Sequence, residues 1–241
     1  MRTIIWFVYF WLYLLAAIPV SGYIWILEKR GQDVRADVLV QRMVNRWAHR
    51  LMRLAGAKVE VTGREHLPDG PAVYIANHQG NFDIPIMLTV LREPHGLVAK
   101  KELARLPFVH TWMRHLHCLF VDRASPRAGA QVILDGEKLL KSGRSITIFP
   151  EGTRSRGGAM HRFQSGAFRI AARAGVPLVP VTIDGSYRLM EAQGVWIRPG
   201  TVRVTIHQPV ETENLTREAA KTLPEQVRDI IVSVLPPQKT G

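Results

Sequence analysis

Only one of the 241 residues is a cysteine, Cys118. That excludes an intramolecular disulfide and any all-cysteine metal site. It lies in the apolar run Cys118-Leu119-Phe120-Val121, a buried-strand pattern in which a small core residue is expected rather than a nucleophile. Glycine-rich phosphate loops are also missing. Neither G-x-x-x-x-G-K-S/T nor G-x-G-x-x-G occurs, which disfavours nucleotide binding through those loops. The nine histidines include no H-E-x-x-H, and His110, His115 and His117 lack an accompanying acidic set, so no metal site is expected. The absence of a G-x-S-x-G elbow argues against a serine hydrolase of the α/β type. Acidic residues are scarce, 20 against 32 Lys and Arg, for a net charge of +12. Such an excess implies an anionic partner: nucleic acid, a phospholipid surface or a phosphorylated substrate.

Charge is missing altogether from Thr3 to Leu27, where Trp, Tyr and Phe crowd together. As one helix the run would be roughly 37 Å long, enough for a hydrocarbon core of about 30 Å. Pro19, Ser21 and Gly22 interrupt it, so a kinked span and a segment lying in one leaflet are both open. A cleaved leader ending at Val20-Ser21-Gly22 is the competing reading. The single basic residue ahead of the run, Arg2, and its resumption as Tyr23–Leu27 argue against it. Lys29, Arg30 and Arg35 follow, so the positive-inside rule keeps the remainder cytoplasmic. From Asp37 to Ala55 apolar residues recur at three- and four-residue steps opposite Arg42, Arg46, Arg50 and Arg53. This is a basic amphipathic helix suited to the headgroup boundary of an anionic bilayer. The aromatics sit in the N-terminal run, whereas a nucleic-acid module would set them beside its basic residues, so no nucleic acid is expected.

The remainder alternates strands and helices. Strands are expected at Lys58–Thr62, Ala72–Ala76, Leu97–Ala99, Cys118–Val121, Ser145–Phe149, Leu178–Ile183 and Val202–His207. Helices are expected at Asp83–Leu91, Lys101–His115, Arg127–Lys141, Gly166–Ala174 and Arg217–Leu235. The pattern predicts an α/β fold, a central mixed sheet flanked by helices, behind a membrane-associated helical segment. Residues 1–57 form that segment, 58–235 the α/β domain, and 236–241 a disordered tail.

Two stretches place reactive groups at strand exits, where rigid elements hand over to loops. Asn77-His78-Gln79-Gly80-Asn81-Phe82-Asp83 follows the run Ala72–Ala76. Neutral His78 can take a proton from an alcohol, and Asp83 can fix its tautomer and stabilise the imidazolium. Five residues do not stack two side chains on a straight helix, so a turn is needed, which Gly80 permits. Phe149-Pro150-Glu151-Gly152-Thr153-Arg154-Ser155 follows a second strand. The Arg154 fork suits a phosphate, as do Arg123 at the end of Leu119–Val121 and Lys100 or Lys101 after Leu97–Ala99.

Taken in order, these stretches resemble the motifs of the glycerolipid acyltransferases: Asn77-His78 with Asp83, Leu119-Phe120-Val121-Asp122-Arg123, Phe149–Ser155, and Val176-Pro177-Leu178-Val179-Pro180-Val181. The resemblance spans roughly Val59 to Val210 and includes bacterial members that convert 1-acyl-sn-glycerol-3-phosphate to phosphatidic acid. It implies acyl transfer to the sn-2 hydroxyl from acyl-CoA or acyl carrier protein, with no resident cofactor. His78 and Asp83 are the implied catalytic pair, and Arg123, Arg154 and Lys101 the implied phosphate ligands. Glu151, Gly152 and Thr153 are acceptor-binding or structural, Glu151 contacting the glycerol hydroxyl or fixing Arg154. Pro177 and Val179 shape the acyl channel or core. The implied location is the inner membrane, catalytic domain toward the cytoplasm, with an anionic phospholipid surface and a lysophospholipid acceptor as partners. His110 and His117 stand where the family usually has glycine, Gln164 where lysine is common and Gly80 where serine is frequent. The first three departures leave other lysolipid acceptors open. A non-enzymatic basic membrane protein and a lipid hydrolase are the remaining alternatives.

Overall fold

A computed structural model describes residues 1–91, 95–122, 124–213 and 215–236. Three helices open the chain: α1 (Arg2–Ala16), α2 (Ile18–Lys29) and α3 (Asp33–Ala55). The first two bend by 45° at their junction. Pro19 sits in the first turn of α2, where a missing N–H costs nothing, but α1 cannot run on through it. Among the described residues no single helix is long and apolar enough to cross a membrane; α1 and α2 together pass by length and composition.

The rest of the chain runs β1 (Ala57–Thr62), β2 (Val73–Ala76), α4 (Asp83–Val90), β3 (His95–Lys100), α5 (Val109–His115), β4 (Leu119–Val121), α6 (Pro126–Lys141), β5 (Ser145–Ile148), α7 (Gly166–Ala174), β6 (Leu178–Asp184), β7 (Gly200–Ile206) and α8 (Arg217–Val232). The strands form one seven-stranded sheet in the order β1-β7-β6-β2-β5-β3-β4. Five of them, β6, β2, β5, β3 and β4, run parallel. β7 is antiparallel to β6, and β1 is parallel to β7. The carboxyl ends of the five parallel strands therefore share one edge.

Alternation along β2 assigns the two faces. Tyr74 and Ala76 join the core beneath α1, α3 and α4 with Trp6, Leu51, Ile86 and Val179. Val73 and Ile75 join the core beneath α6, α7 and α8 with Leu140, Ile170 and Val227. A sheet covered on both faces explains why β2, β5 and β6 read as continuous apolar runs. Ser125 and Thr216 cap α6 and α8 by accepting the amides of Ala128 and Ala219, each three residues on. Gly56 at φ +70° and Gly175 at φ +65° end α3 and α7 in the left-handed conformation.

Three expectations are corrected. The helix expected over Lys101–His115 is a 3-10 turn, Lys101–Arg105, then an extended Leu106 and the shorter α5. Pro107 is the reason, since the residue before proline is pushed out of the α region. The last helix ends at Val232 rather than Leu235. The amphipathic helix starts earlier, at Asp33, and its apolar face does not lie against a bilayer. Val40, Val44, Ala48 and Leu51 are buried in the protein, packed with α1, α2 and α4. The unpartnered apolar face belongs instead to α1 and α2, where Ile4, Ile5, Val8, Leu12 and Leu15 are exposed along one side of α1. Beyond Pro236, the expected tail lies outside the described residues.

Gly63 follows β1 at φ +79°, and a Cβ there would meet the Ile206 carbonyl oxygen at 1.9 Å. Gly143, at φ +87°, has nothing within 4 Å of its Cβ position. Gly143→Ala therefore isolates the backbone strain, about 1 kcal/mol, and Gly63→Ala adds a main-chain collision, for about 3 kcal/mol or more. Thermal unfolding in detergent should show melting points lowered by about 2–4 °C and about 6 °C or more, respectively. Equal shifts would mean that the β1–β7 end yields freely.

Candidate active site

Asp83 is the first residue of α4 and has no exposed surface. One of its oxygens, Oδ2, accepts three hydrogen bonds: from His78 Nδ1 at 2.7 Å, the Gln79 amide at 2.7 Å and the Gly80 amide at 2.9 Å. A carboxylate at a helix amino terminus also meets the favourable end of the helix dipole. The turn expected between His78 and Asp83 is present, and its main chain folds around the carboxylate. The role of Gly80 differs from the expected one. Its backbone is not among the left-handed positions, but a Cβ would lie 2.4 Å from Glu191 Oε2. Gly80 is small because the Glu191 carboxyl group packs on it.

His78 is held from two further sides. Its ring stacks on Phe149, with centroids 4.3 Å apart and planes at 25°. Its amide donates to Glu151 Oε1 at 2.6 Å. With Nδ1–H given to Asp83, Nε2 is the basic nitrogen, on a side chain 18% exposed.

Glu151, buried at 5% exposure, reaches the His161 amide through Oε2 at 2.8 Å. Burial pushes its carboxyl pKa up, and the two amides partly offset this. It neither touches Arg154 nor faces outward, which corrects the expected contact with Arg154. Its carboxylate ties the loop after β5 to the loop after β2. Main-chain bonds reinforce the tie: the Ser155 amide donates to the His78 carbonyl at 2.8 Å and the Arg156 amide to the Gln79 carbonyl at 3.1 Å.

Arg154 instead donates to Asn81 Oδ1 at 2.5 Å and pairs with Glu191 Oε1 at 3.4 Å. Glu191 Oε1 also accepts the Asn81 amide at 2.7 Å. Two more side chains join the loops to β6. Asn77 exchanges hydrogen bonds with the Ile183 main chain at 2.9 and 2.8 Å. Gln79 Oε1 accepts the Gly185 amide at 2.8 Å.

Lys101 lies after β3 and forms an ion pair of 2.5 Å with Asp122 after β4. That bond holds the Asp122 carboxyl below the usual carboxylate range. Arg123 lies outside the described residues. Gly152 turns at φ +70° and Thr153 is exposed. Val179 is fully buried in the core, and the half-buried Pro177 accepts the Val73 amide through its carbonyl. Cys118 is a buried core residue whose thiol burial pushes up to about 12, which removes it as a nucleophile. His117 adopts φ +56°, in the left-handed region that favours glycine. The histidine bears the strain glycine avoids and bonds Asp37 Oδ1 at 3.2 Å.

Sequence reasoning missed Glu191. It lies in a short 3-10 turn, Glu191–Gln193, far along the chain and in no motif. Its only sequence signal was the glycine at position 80, legible in retrospect as space reserved for another group.

A histidine backed by a buried carboxylate, at the ligand-binding edge of an α/β sheet, can take a proton from a hydroxyl group. The chain belongs to the Acyltransferase family, whose sequence signature matches residues 58–184, more than half of its length. It is 36% identical over 157 residues to the chloroplastic 1-acyl-sn-glycerol-3-phosphate acyltransferase BAT2 of Brassica napus, covering 64% of this chain and 45% of the relative. It is 33% identical over 183 residues to the 1-acyl-sn-glycerol-3-phosphate acyltransferase of Borreliella burgdorferi, covering 76% and 73%. The crystal structure of the 1-acyl-sn-glycerophosphate acyltransferase PlsC from Thermotoga maritima superposes with a TM-score of 0.73 at 28% identity, covering 96% and 95%. The matches span about half the length of the chloroplastic relatives.

Because Glu151 accepts main-chain amides of His78 and His161, its loss should act through the placement of His78. Glu151→Ala should lower kcat by about a hundredfold with a smaller change in the acceptor KM. A raised KM with kcat unchanged would instead make Glu151 a ligand of the acceptor.

Proposed function

We propose that the protein transfers a fatty acyl group from a thioester, on coenzyme A or acyl carrier protein, to the sn-2 hydroxyl of 1-acyl-sn-glycerol-3-phosphate, giving phosphatidic acid. The observation that supports this most directly is the 2.7 Å bond from His78 Nδ1 to the fully buried Asp83 carboxylate. It leaves Nε2 to take the hydroxyl proton as the acceptor oxygen attacks the thioester carbonyl. The tetrahedral intermediate collapses with loss of the thiolate, and the imidazolium returns its proton to that sulfur. Asp83 stabilises the imidazolium between the two transfers, an arrangement worth about 10²–10⁴ in rate. No covalent acyl-enzyme is needed.

Arg154, with Arg123 and Lys101, would hold the acceptor phosphate. In this reading Glu191 and Asn81 keep the Arg154 fork in place beside the His78 loop. Residues 1–57 serve as the membrane-attachment segment and 58–235 as the catalytic domain. The exposed apolar side of α1 and α2 lies in one leaflet, their other side packing on the protein. Acceptor and product are lipids, and lifting a chain into water costs about 0.8 kcal/mol per CH₂. A site beside the bilayer surface avoids most of that cost. The cytoplasmic leaflet is favoured by Lys29, Arg30 and Arg35 just after the apolar run.

Purified protein in detergent or liposomes, given 1-acyl-sn-glycerol-3-phosphate with long-chain acyl-CoA or acyl carrier protein, should form phosphatidic acid. His78→Ala should lower kcat/KM at least about a hundredfold. Arg154→Ala should raise the acceptor KM by about tenfold or more, the worth of a hydrogen bond to a charged group. Undiminished product from His78→Ala would contradict the mechanism, and an unchanged acceptor KM in Arg154→Ala would remove that arginine from the phosphate site.

A further inference from the structure

Between α3, β1 and the end of α4 lies a cleft of about 780 Å³ that the proposed chemistry does not use. Exposed Arg46, Arg50, Arg53 and Arg64 form its rim and the less exposed Val59, Val61 and Val90 its floor, with Asn45, His49 and Thr89 also lining it. No aspartate or glutamate lines it. Asp83 begins α4 and Val90 ends it, so the cleft stands about 10 Å along that helix from the catalytic carboxylate.

Two features argue that this is more than a solvated arginine face. Arg46, Arg50 and Arg53 follow one another at four- and three-residue steps, so their charges repel across neighbouring turns. Among the described residues none of the three has an ion-pair partner, whereas Glu137 on α6 is bridged by both Lys141 and Arg173. An anion seated between the guanidinium groups would relieve that repulsion. Arg64 is held at the opening, its Nη1 donating to the Val90 carbonyl at 2.9 Å. The second feature is the floor. Aliphatic side chains below a cationic rim suit a molecule with an anionic head and a hydrocarbon tail. No Phe, Tyr or Trp lines the cleft to stack a base.

The cleft also adjoins the apolar helices. At its end Arg2, the first residue of α1, lies over Gly56, with Nη1 2.7 Å from the position of a Cβ there. We infer that this cleft binds an anionic phospholipid of the bilayer, its phosphate on the arginines of α3 and Arg64 and the start of an acyl chain on the β1 valines. The inference rests on the membrane attachment proposed for α1 and α2. It adds a lipid site separate from the catalytic one.

The test is vesicle co-sedimentation of the full chain at low ionic strength. It compares phosphatidylcholine vesicles with vesicles in which about a third of the lipid is phosphatidylglycerol. One variant carries Arg46→Gln, Arg50→Gln and Arg53→Gln. A charge-matched control carries Arg127→Gln, Arg169→Gln and Lys221→Gln, on α6, α7 and α8 over the opposite face of the sheet. Acyl transfer in detergent verifies that both are folded. Anionic lipid should tighten wild-type binding by about tenfold or more. The cleft variant should lose most of that gain and keep its affinity for phosphatidylcholine vesicles, while the control keeps the gain. Equal losses in both variants would reduce the effect to net charge and overturn the cleft. So would wild-type binding to both vesicle types without an anionic gain, which leaves the attachment by α1 and α2 standing. Failure of the wild type to bind either vesicle would remove the attachment as well. Duplex DNA competing equally with the anionic vesicles, and losing affinity only for the cleft variant, would assign the cleft to nucleic acid.

Discussion

The site is organised around one buried carboxylate. Asp83 has no contact with solvent, and a charge there is tolerated only because three N–H groups converge on a single oxygen at the start of a helix. Two of those groups are main-chain amides of the very loop that carries His78. The carboxylate thus orients the imidazole and also shapes the segment that presents it. One interaction sets the base, its tautomer and its approach.

The neighbouring loops extend the same economy of buried acids. Glu151 accepts the amides of His78 and His161, and Glu191 accepts the amide of Asn81 while facing Arg154. Each carboxylate joins segments that the sequence keeps apart by ten to more than a hundred positions. They meet because β6, β2 and β5 are parallel neighbours and end at one edge. An excess of arginine elsewhere on the surface is compatible with this acidic centre. The arginines of α3 lie on the outside of the helix, and among the described residues only Arg154 pairs with a carboxylate of this centre.

Much of this was legible in the residues. The strands followed from β-branched runs bounded by turn signals, and all seven were placed to within about two residues at each end. His78 and Asp83 stood out because a titratable pair followed such a run. The parts that were not legible depended on long-range packing. A basic amphipathic pattern in α3 cannot tell a bilayer from a protein core, and the face that pattern offered is buried by α1, α2 and α4. Arg154 and Glu151 are near neighbours in the chain, which suggested that they pair. The fold turns one inward to main-chain amides and gives the other to Glu191. Residues on both sides of Pro107 carry helical spacing, yet the backbone breaks there.

The central claim is that Asp83 acts on the chemistry only through His78. It is tested most directly by a double-mutant cycle on kcat/KM for acyl transfer, using wild type, His78→Ala, Asp83→Asn and the double variant. If the claim holds, the double variant falls within about threefold of His78→Ala alone, because the carboxylate has nothing left to support. If the two losses multiply, Asp83 contributes independently of the histidine, and the proposed division of roles between base and supporting carboxylate is wrong.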